Sequence, residues 1–469
     1  MATLAVSMLL AWPGPARSAD EPATTTKVSY YKDIRPIFQE HCQGCHQPAK
    51  PMGGLTMTSF EGLKKGGESE EPGFVPGKPN DSSLVVQITS QGGDPPAMPK
   101  DKPALTEPQV KLITQWIAEG AADDTPPMAR EAIDKDHPPT YTLAPVLTSL
   151  DYSPDGKLIA VSGYHEVLLH HADGSGIAGR LVGLAERIES AVFSPDGKRL
   201  AVTGGSPGRF GEVQIWDVET QQLKLSLSVT FDTIYGANWS HDGKLVSFGC
   251  GDNTLRAIDA ETGKQVLYQG AHSDWVLDTV FSTDSSHLIS VSRDRSMKLT
   301  DVPTQRFEDN ITSITPGALK GGLISVDRHP TKDEVVVGGA DGVPKIYRIY
   351  REQGKDRKIG DDFNLIRNFD ALPGRVFSVQ YNADGSRVVA GSSKDNRGEV
   401  RVYQADDGKL VSKIDLPASA VYAVAFSPDG QRVAVAGFDG VVRLHDAASG
   451  AAIKEFTAVP LAASVASKD

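Results

Sequence analysis

"LTSLDYSPDGKLIAVSG", residues 147–163, decides how most of this chain is built. Leu150 and Tyr152 alternate with polar neighbours, Ser153-Pro154-Asp155-Gly156 supplies a tight turn, and Leu158–Val161 is an apolar run. That order reads as strand, turn, strand. Six later segments align with it: "IESAVFSPDGKRLAVTG", "IYGANWSHDGKLVSFGC", "VLDTVFSTDSSHLISVS", "LISVDRHPTKDEVVVGG", "VFSVQYNADGSRVVAGS" and "VYAVAFSPDGQRVAVAG". Ser153, Ser194, Ser240, Ser282, His329, Asn382 and Ser427 hold equivalent places, 41 to 53 residues apart. A period in that range is the mark of four-stranded repeat units that bury their faces only against one another. Third strands follow as "EVQIWD", "TLRAID", "SMKLTD", "EVRVYQ" and "VVRLHD".

This pattern resembles the WD-repeat family, and the resemblance implies an all-β, seven-bladed propeller over residues 146–469. The signature is worn down: Trp216-Asp217 alone keeps the dipeptide, and "GAH" ending at His272 is the one approach to the Gly-His element. Asp252, Asp294, Asp341 and Asp439 recur in the second turn and read as turn-tying residues rather than catalysts. The closing "AAIKEFTAV" is expected to pair into the first blade and remove its open edge. Cys250 ends an apolar strand and is expected to be a buried free thiol. His165, His170 and His171 fall in one blade; a surface strand and turn explains them better than a ligand set.

Near the N-terminus stands "EHCQGCHQPAKPMGG", residues 40–54. Cys42, Cys45 and His46 form C-x-x-C-H, the attachment pattern of c-type haem. Two thiols about one helical turn apart can add to the two vinyl groups of one porphyrin edge, and the adjacent histidine then lies beneath the iron. A structural zinc site needs a second ligand pair, and the third cysteine is about 200 residues away. A redox dithiol needs a βαβ setting, which the helix-then-loop flanks do not offer. The reading is therefore one covalently attached haem c, with His46 as proximal ligand. Among Met52, Met57, Met98 and Met128, the first two follow His46 too closely to cross to the opposite haem face. Met98 lies in the proline-rich "GGDPPAMPKDKPALT" and is expected to be the distal ligand.

The flanks predict a small helical domain. Ile34, Ile37 and Phe38 share a face, with Asp33 as N-cap and Pro36 in the first turn. Thr106 and Gln109 are expected to form a capping box before Val110, Ile113, Trp116 and Ile117, with Gly120 as the stop. "DIRPIF", "HCQGCH", "GGLTM", "PGKPNDSSL", "AMPK" and "QWIAEGA" resemble the planctomycete-type cytochrome c proteins across residues 29–122. The resemblance implies a small, all-α, class I-like cytochrome c domain. It carries Cys42 and Cys45 as haem anchors, His46 as proximal and Met98 as distal ligand; "AMPK" departs slightly from the family's usual "MPP".

The expected organisation is a leader at 1–19, the cytochrome domain at 20–122, a linker at 123–145 and the propeller at 146–469. The leader reading rests on the short apolar run Leu4–Trp12 followed by "PGP" and small residues; it lacks a basic start. A net charge of −12 argues against a nucleic-acid surface, and no stretch is apolar for a membrane-spanning length. These features predict an exported electron carrier, in the periplasm or an equivalent extracytoplasmic compartment, with an unidentified redox protein as partner. Docking is expected through the propeller face or the basic insertion Arg348–Lys358, although a solvated hairpin also accounts for that insertion. The alternative is an oxidoreductase whose propeller binds a substrate or second cofactor and passes electrons to the haem. An electron carrier fits better than a substrate-converting enzyme, because His/Met ligation fills the iron's coordination positions.

Overall fold

The computed structural model describes residues 27–47, 50–69, 71–100, 102–126, 133–313, 319–352 and 362–462. The expected leader, Met128, Lys355, Arg357 and Lys358 lie outside the described residues.

Helices occupy the N-terminal part: α1 (Arg35–His41), α2 (Phe60–Lys65), α3 (Ser83–Ile88) and α4 (Glu107–Ala118). A π-helical turn, Tyr30–Ile34, leads into α1, so this helical run begins before the cap expected at Asp33. Ser29 is the actual cap. Its hydroxyl accepts the Lys32 N–H at 2.9 Å, while Asp33 reaches back to accept the Ser29 N–H at 2.8 Å. The two side chains thus satisfy two otherwise orphaned donors reciprocally. At α4, Gln109 accepts the Thr106 N–H at 2.9 Å as expected, and Gly120 ends the helix at φ +102°. Ile34, Phe38, Ile113, Trp116 and Ile117 are buried together with Leu63 and Phe74. Tyr30 stacks on Trp116 at 5.3 Å between ring centres, closing this helical core.

Among the described residues from 150 onward the regular structure is β, with five four-stranded antiparallel sheets within 234–269, 276–310, 323–368, 375–416 and 421–457. A seven-stranded sheet covers 150–230 and contains the long strand Ile177–Phe193. Strand order follows the sequence in every sheet, as expected for WD-type propeller blades. The turn chemistry explains the repeating Ser-x-Asp-Gly. Ser153 donates to Asp155 at 2.7 Å and accepts the Leu158 N–H at 2.9 Å, and Gly156 takes φ +71°. Ser194, Ser240 and Ser282 repeat the arrangement, each donating to the aspartate two residues on.

A second periodic device links the sheets. Side chains four residues before the turn residue accept backbone N–H groups from the inner strand of the next repeat. Ser149 takes Ala191, Ser190 takes Ala237, Asp278 takes Val326 and Ser378 takes Val424, at 2.9 to 3.2 Å. Two residues nearer the turn, Asp151 takes Phe193, Asn238 takes Phe281, Asp327 takes Tyr381 and Gln380 takes Phe426, at 2.7 to 3.2 Å. The inner strands beginning at 234, 276, 323, 375 and 421 are sheet edges, and the 188–193 part of the long strand is paired on one side only, so these acceptors satisfy donors that would otherwise be buried without partners.

Closure differs from expectation. Ala452–Thr457 pairs antiparallel with Val441–Asp446 of its own sheet, not with the first blade. The ends meet through packing instead: Leu150, Ile159 and Val161 share one core with Ala423, Ala434 and Leu444. The Leu147 N–H donates to the Gly437 carbonyl at 2.9 Å, and Tyr141 forms a parallel bridge with Leu461. The segment expected as linker is therefore pinned at Tyr141, whose hydroxyl donates to the buried Glu166 at 2.8 Å, itself ion-paired with Arg180 at 2.7 Å.

Candidate haem site

Cys42, Cys45, His46 and Met98 line one cavity of about 380 Å3. Residue type and position explain how they meet. The helical run delivers Cys42 one residue past α1, and a turn folds Cys45 and His46 back so that both N–H groups donate to the Cys42 carbonyl at 3.1 Å. The Met98 N–H donates to the Gln87 carbonyl at 2.9 Å, tying the proline-rich loop to α3, whose Leu84 and Ile88 form part of the wall. A chain separation of 52 residues between His46 and Met98 is thus spanned by one enclosure.

The His46 ring lies with Nδ1 3.0 Å from the Met52 carbonyl. Donation from Nδ1 to that carbonyl fixes the tautomer that leaves Nε2 with its lone pair, as backbone carbonyls behind metal-binding histidines do. Burial also holds the imidazole below its ordinary pKa, against the opposing hydrogen bonds to Met52 and Leu55, which favours the neutral, ligating form. Burial pushes the Cys42 thiol up to about 12. This environment disfavours a thiolate and accommodates an uncharged thioether. Glycines bring the loop close: a Cβ on Gly67 would stand 2.3 Å from the Gly53 carbonyl oxygen, and one on Gly73 would stand 2.2 Å from that of Leu63. Two thiols, an imidazole and a thioether around a cavity in the usual range for small-molecule sites fit a covalently held haem.

Neighbouring candidates separate clearly. Met57 is 2% exposed and packs in the helical core, whereas Met52 is 48% exposed at the rim. The His41 Nε2 lies 3.0 Å from the Gln109 amide nitrogen. His170 is buried with Nε2 2.8 Å from the Ala458 carbonyl, its neighbour His171 is exposed, and His165 stands near the start of the same strand, Tyr164–His171, so the three do not converge. Cys250 is a buried free thiol, as expected. In the basic insertion, Arg348 is 3.0 Å from Glu352 and Arg351 pairs with Asp309.

What the sequence did not reveal is that the haem motif is also a contact surface. A Cβ on Gly44 would sit 2.6 Å from the Ser226 carbonyl oxygen in the second repeat's outer strand. Gly44 is therefore required by close packing rather than by its backbone angles. Gly44→Ala is expected to destabilise the contact between the domains by about 1–3 kcal/mol, the usual cost of overpacking against backbone. Hydrogen exchange should show faster exchange confined to the facing surfaces around 42–46 and 222–230.

Together these features define a cytochrome-type helical domain packed on WD-type sheets, and comparison with known proteins agrees. Residues 42–102 match the family model "Planctomycete cytochrome C", and residues 263–301 and 408–446 match "WD domain, G-beta repeat". The chain thus joins a planctomycete cytochrome c domain to WD repeats. Among curated proteins it is similar to eukaryotic translation initiation factor 3 subunit I of Aspergillus niger, 28% identical over 205 residues, which is 42% of this chain and 57% of that protein. It is also similar to Coronin-7 of Mus musculus, 29% identical over 249 residues, which is 50% of this chain and 26% of that protein. The chain spans little more than half the length of the first relative and about a quarter of the second. Among the described residues, no helix is long and apolar enough to cross a membrane.

Proposed function

We propose that this chain is an exported, periplasmic c-type cytochrome with a single haem, carrying out outer-sphere electron transfer, and that its propeller docks a redox partner protein. The observation that carries this reading is the single cavity lined by both C-x-x-C-H cysteines, His46 and Met98. Bound there, haem c supplies reversible one-electron chemistry at iron. Cys42 and Cys45 would anchor it, and His46 through Nε2 and Met98 through its thioether would hold the iron. The propeller has seven blades in this reading. Ile177–Phe193 serves as outer strand of the first and inner strand of the second, dividing the seven-stranded sheet in two.

Docking is best supported at the mouth of the propeller channel. Thr148, Glu189, Tyr235, Leu277, Ile324, Phe377 and Tyr422 occupy equivalent positions at the starts of the inner strands and line a cavity of about 490 Å3. Five consecutive members are apolar or aromatic, and Phe377 meets Tyr422 edge-on at 5.1 Å. Such a half-buried aromatic crescent suits a protein contact. It opens at the same end as the loop carrying Arg209, whose guanidinium reaches Tyr31 of the cytochrome domain at 3.4 Å.

The test is production of the full chain through a cytochrome c maturation system. One haem per chain by pyridine haemochrome, retained after acidified acetone and lost in Cys42→Ala/Cys45→Ala, is the expected result. Correctly processed protein without colour would overturn the reading.

A further inference from the structure

Between α1 and the first two repeats lies a separate cavity of about 510 Å3. One wall is a helical stripe at four-residue spacing: Tyr31, Arg35, Gln39 and Gln43. His165 and Arg209 contribute from the propeller. Only one thickness of chain divides this cavity from the haem cavity. Leu55 and Met57 face the haem side while Thr56 and Thr58 line the other, and Gln43 lies between Cys42 and Gly44. The Gln43 amide holds that wall by donating to the Met57 carbonyl at 2.9 Å.

The cavity carries two guanidinium and two carboxylate groups, and one guanidinium has no direct partner among the described residues. Asp134 is held by its own loop, accepting from the N–H groups of Asp136 and His137 at 2.9 and 2.7 Å and lying 3.1 Å from the His137 Nδ1. Glu186 stands 3.7 Å from Arg209. Arg35 is half-buried, lies 5.3 Å over the Tyr31 ring, and has no hydrogen bond or ion pair among the described residues. His165, packed edge-on against Tyr164 at 4.5 Å, sits at φ +61°, a left-handed conformation costly for a non-glycine residue and often retained at ligand sites. Burial keeps its ring below its ordinary pKa, so it adds no second cation.

We infer that this interdomain cavity binds a small, flat organic monocarboxylate, with the Arg35 guanidinium holding the carboxylate and Tyr31 and His165 flanking its body. A planar guanidinium matches a carboxylate through two parallel hydrogen bonds. One guanidinium without a direct partner offers its fork to one carboxylate. Resting on the haem reading, a consequence follows: a negative charge held one chain thickness from the haem favours the ferric over the ferrous state. Ligand binding therefore lowers the midpoint potential, and by linkage the ferric protein binds more tightly.

Benzoate is the probe, with benzyl alcohol as its neutral counterpart, each titrated calorimetrically into the full-length holoprotein. The expected result is saturable one-to-one benzoate binding, weakened at least tenfold in Arg35→Gln and less in Arg35→Lys, with benzyl alcohol failing to compete. Thermal unfolding checks that the variants fold, and Arg35→Lys keeps the question open to measurement if Arg35→Gln does not. Absence of saturable binding, equal binding by Arg35→Gln, or competition by benzyl alcohol would overturn the site. Heat does not depend on the haem, so a failed haem assignment leaves this result readable. Redox titration of holoprotein should show a lower potential at benzoate saturation in wild type and no change in Arg35→Gln. An unchanged wild-type potential would overturn the coupling.

Discussion

Replacing Asp278 by asparagine is expected to relieve a loss of stability that sets in as pH rises. Burial is the largest influence on this carboxyl and raises its pKa to about 7, outweighing the N–H groups of Val326 and Thr279 that favour its charge; nearby Asp327 adds to the rise. The same holds for Asp151, also raised to about 7, and for Asp327, raised to about 6. In the unfolded chain an aspartate ionises near its ordinary value, so between about pH 4 and 7 the unfolded state sheds a proton that the folded state retains. Stability from each raised carboxyl is fully present below pH 4 and is lost as pH climbs through the folded value. The difference between Asp278→Asn and wild type should therefore grow by about 1.4 kcal/mol per pH unit over that window, about 4 kcal/mol in all. An asparagine loses one acceptor, which shifts the whole difference by a constant without changing its slope. The turn aspartates, held down to about 2 by Lys157 and Ser153 at Asp155, by Ser240 and Lys244 at Asp242 and by Ser282 and Ser286 at Asp284, act below pH 4 and do not enter the window. Buried histidines such as His170 and His445, pushed down by burial, work in the opposite direction but equally in both proteins. Urea unfolding at closely spaced pH values gives the slope. Parallel stability curves for the two proteins would reject the account.

Those carboxyls illustrate what a single sequence conceals. The repeat was legible because Ser-x-Asp-Gly is a local device: one serine hydroxyl and one aspartate close a turn with the residues beside them. Helix ends were nearly as legible. Gly120 stops α4 as predicted, but the first cap lay at Ser29 because the reciprocal bond from Asp33 extends the helical run by a π turn. The interblade acceptors keep to two fixed offsets, four and two residues before the turn residue, but Gly236 and Ala423 interrupt the first series and Val192, Val280 and Ala425 the second. They look like surface polar positions on alternating strands, and only the neighbouring sheet's unpaired N–H groups give them their purpose. The closing strand was misassigned for the opposite reason. Its composition suits either edge, and pairing was settled by its tight turn from Val441–Asp446, while the ends were joined by alanine-rich packing.

Within the candidate haem site, C-x-x-C-H was readable because the chemistry itself dictates the spacing. Orientation was not readable: the carbonyl that takes His46 Nδ1 belongs to Met52, whose side chain had been the feature of interest. The stripe Tyr31-Arg35-Gln39-Gln43 had a clear helical period. Without the propeller opposite it, polar residues at that spacing look like a solvated face.

Met98→Ala should leave the covalent haem in place and change its colour and potential. The backbone at Met98 is tied to Gln87, and prolines precede and follow the residue, so alanine can adopt the same path. Its side chain ends at Cβ and cannot deliver sulfur into the cavity. The expected outcome is an unchanged haemochrome stoichiometry, loss of the sulfur-to-iron charge-transfer band of the ferric protein, and a lower midpoint potential, because methionine ligation is what raises it. Two controls isolate the assignment, since Met52 and Met57 border the same cavity. Met52→Ala removes an exposed rim side chain and should leave band and potential intact. Met57→Ala opens a hole in the helical core and should cost about 2–5 kcal/mol of stability while the band persists. The three variants together make the distal position decidable: a band that survives Met98→Ala and disappears in either control would move the thioether to another strand of the loop.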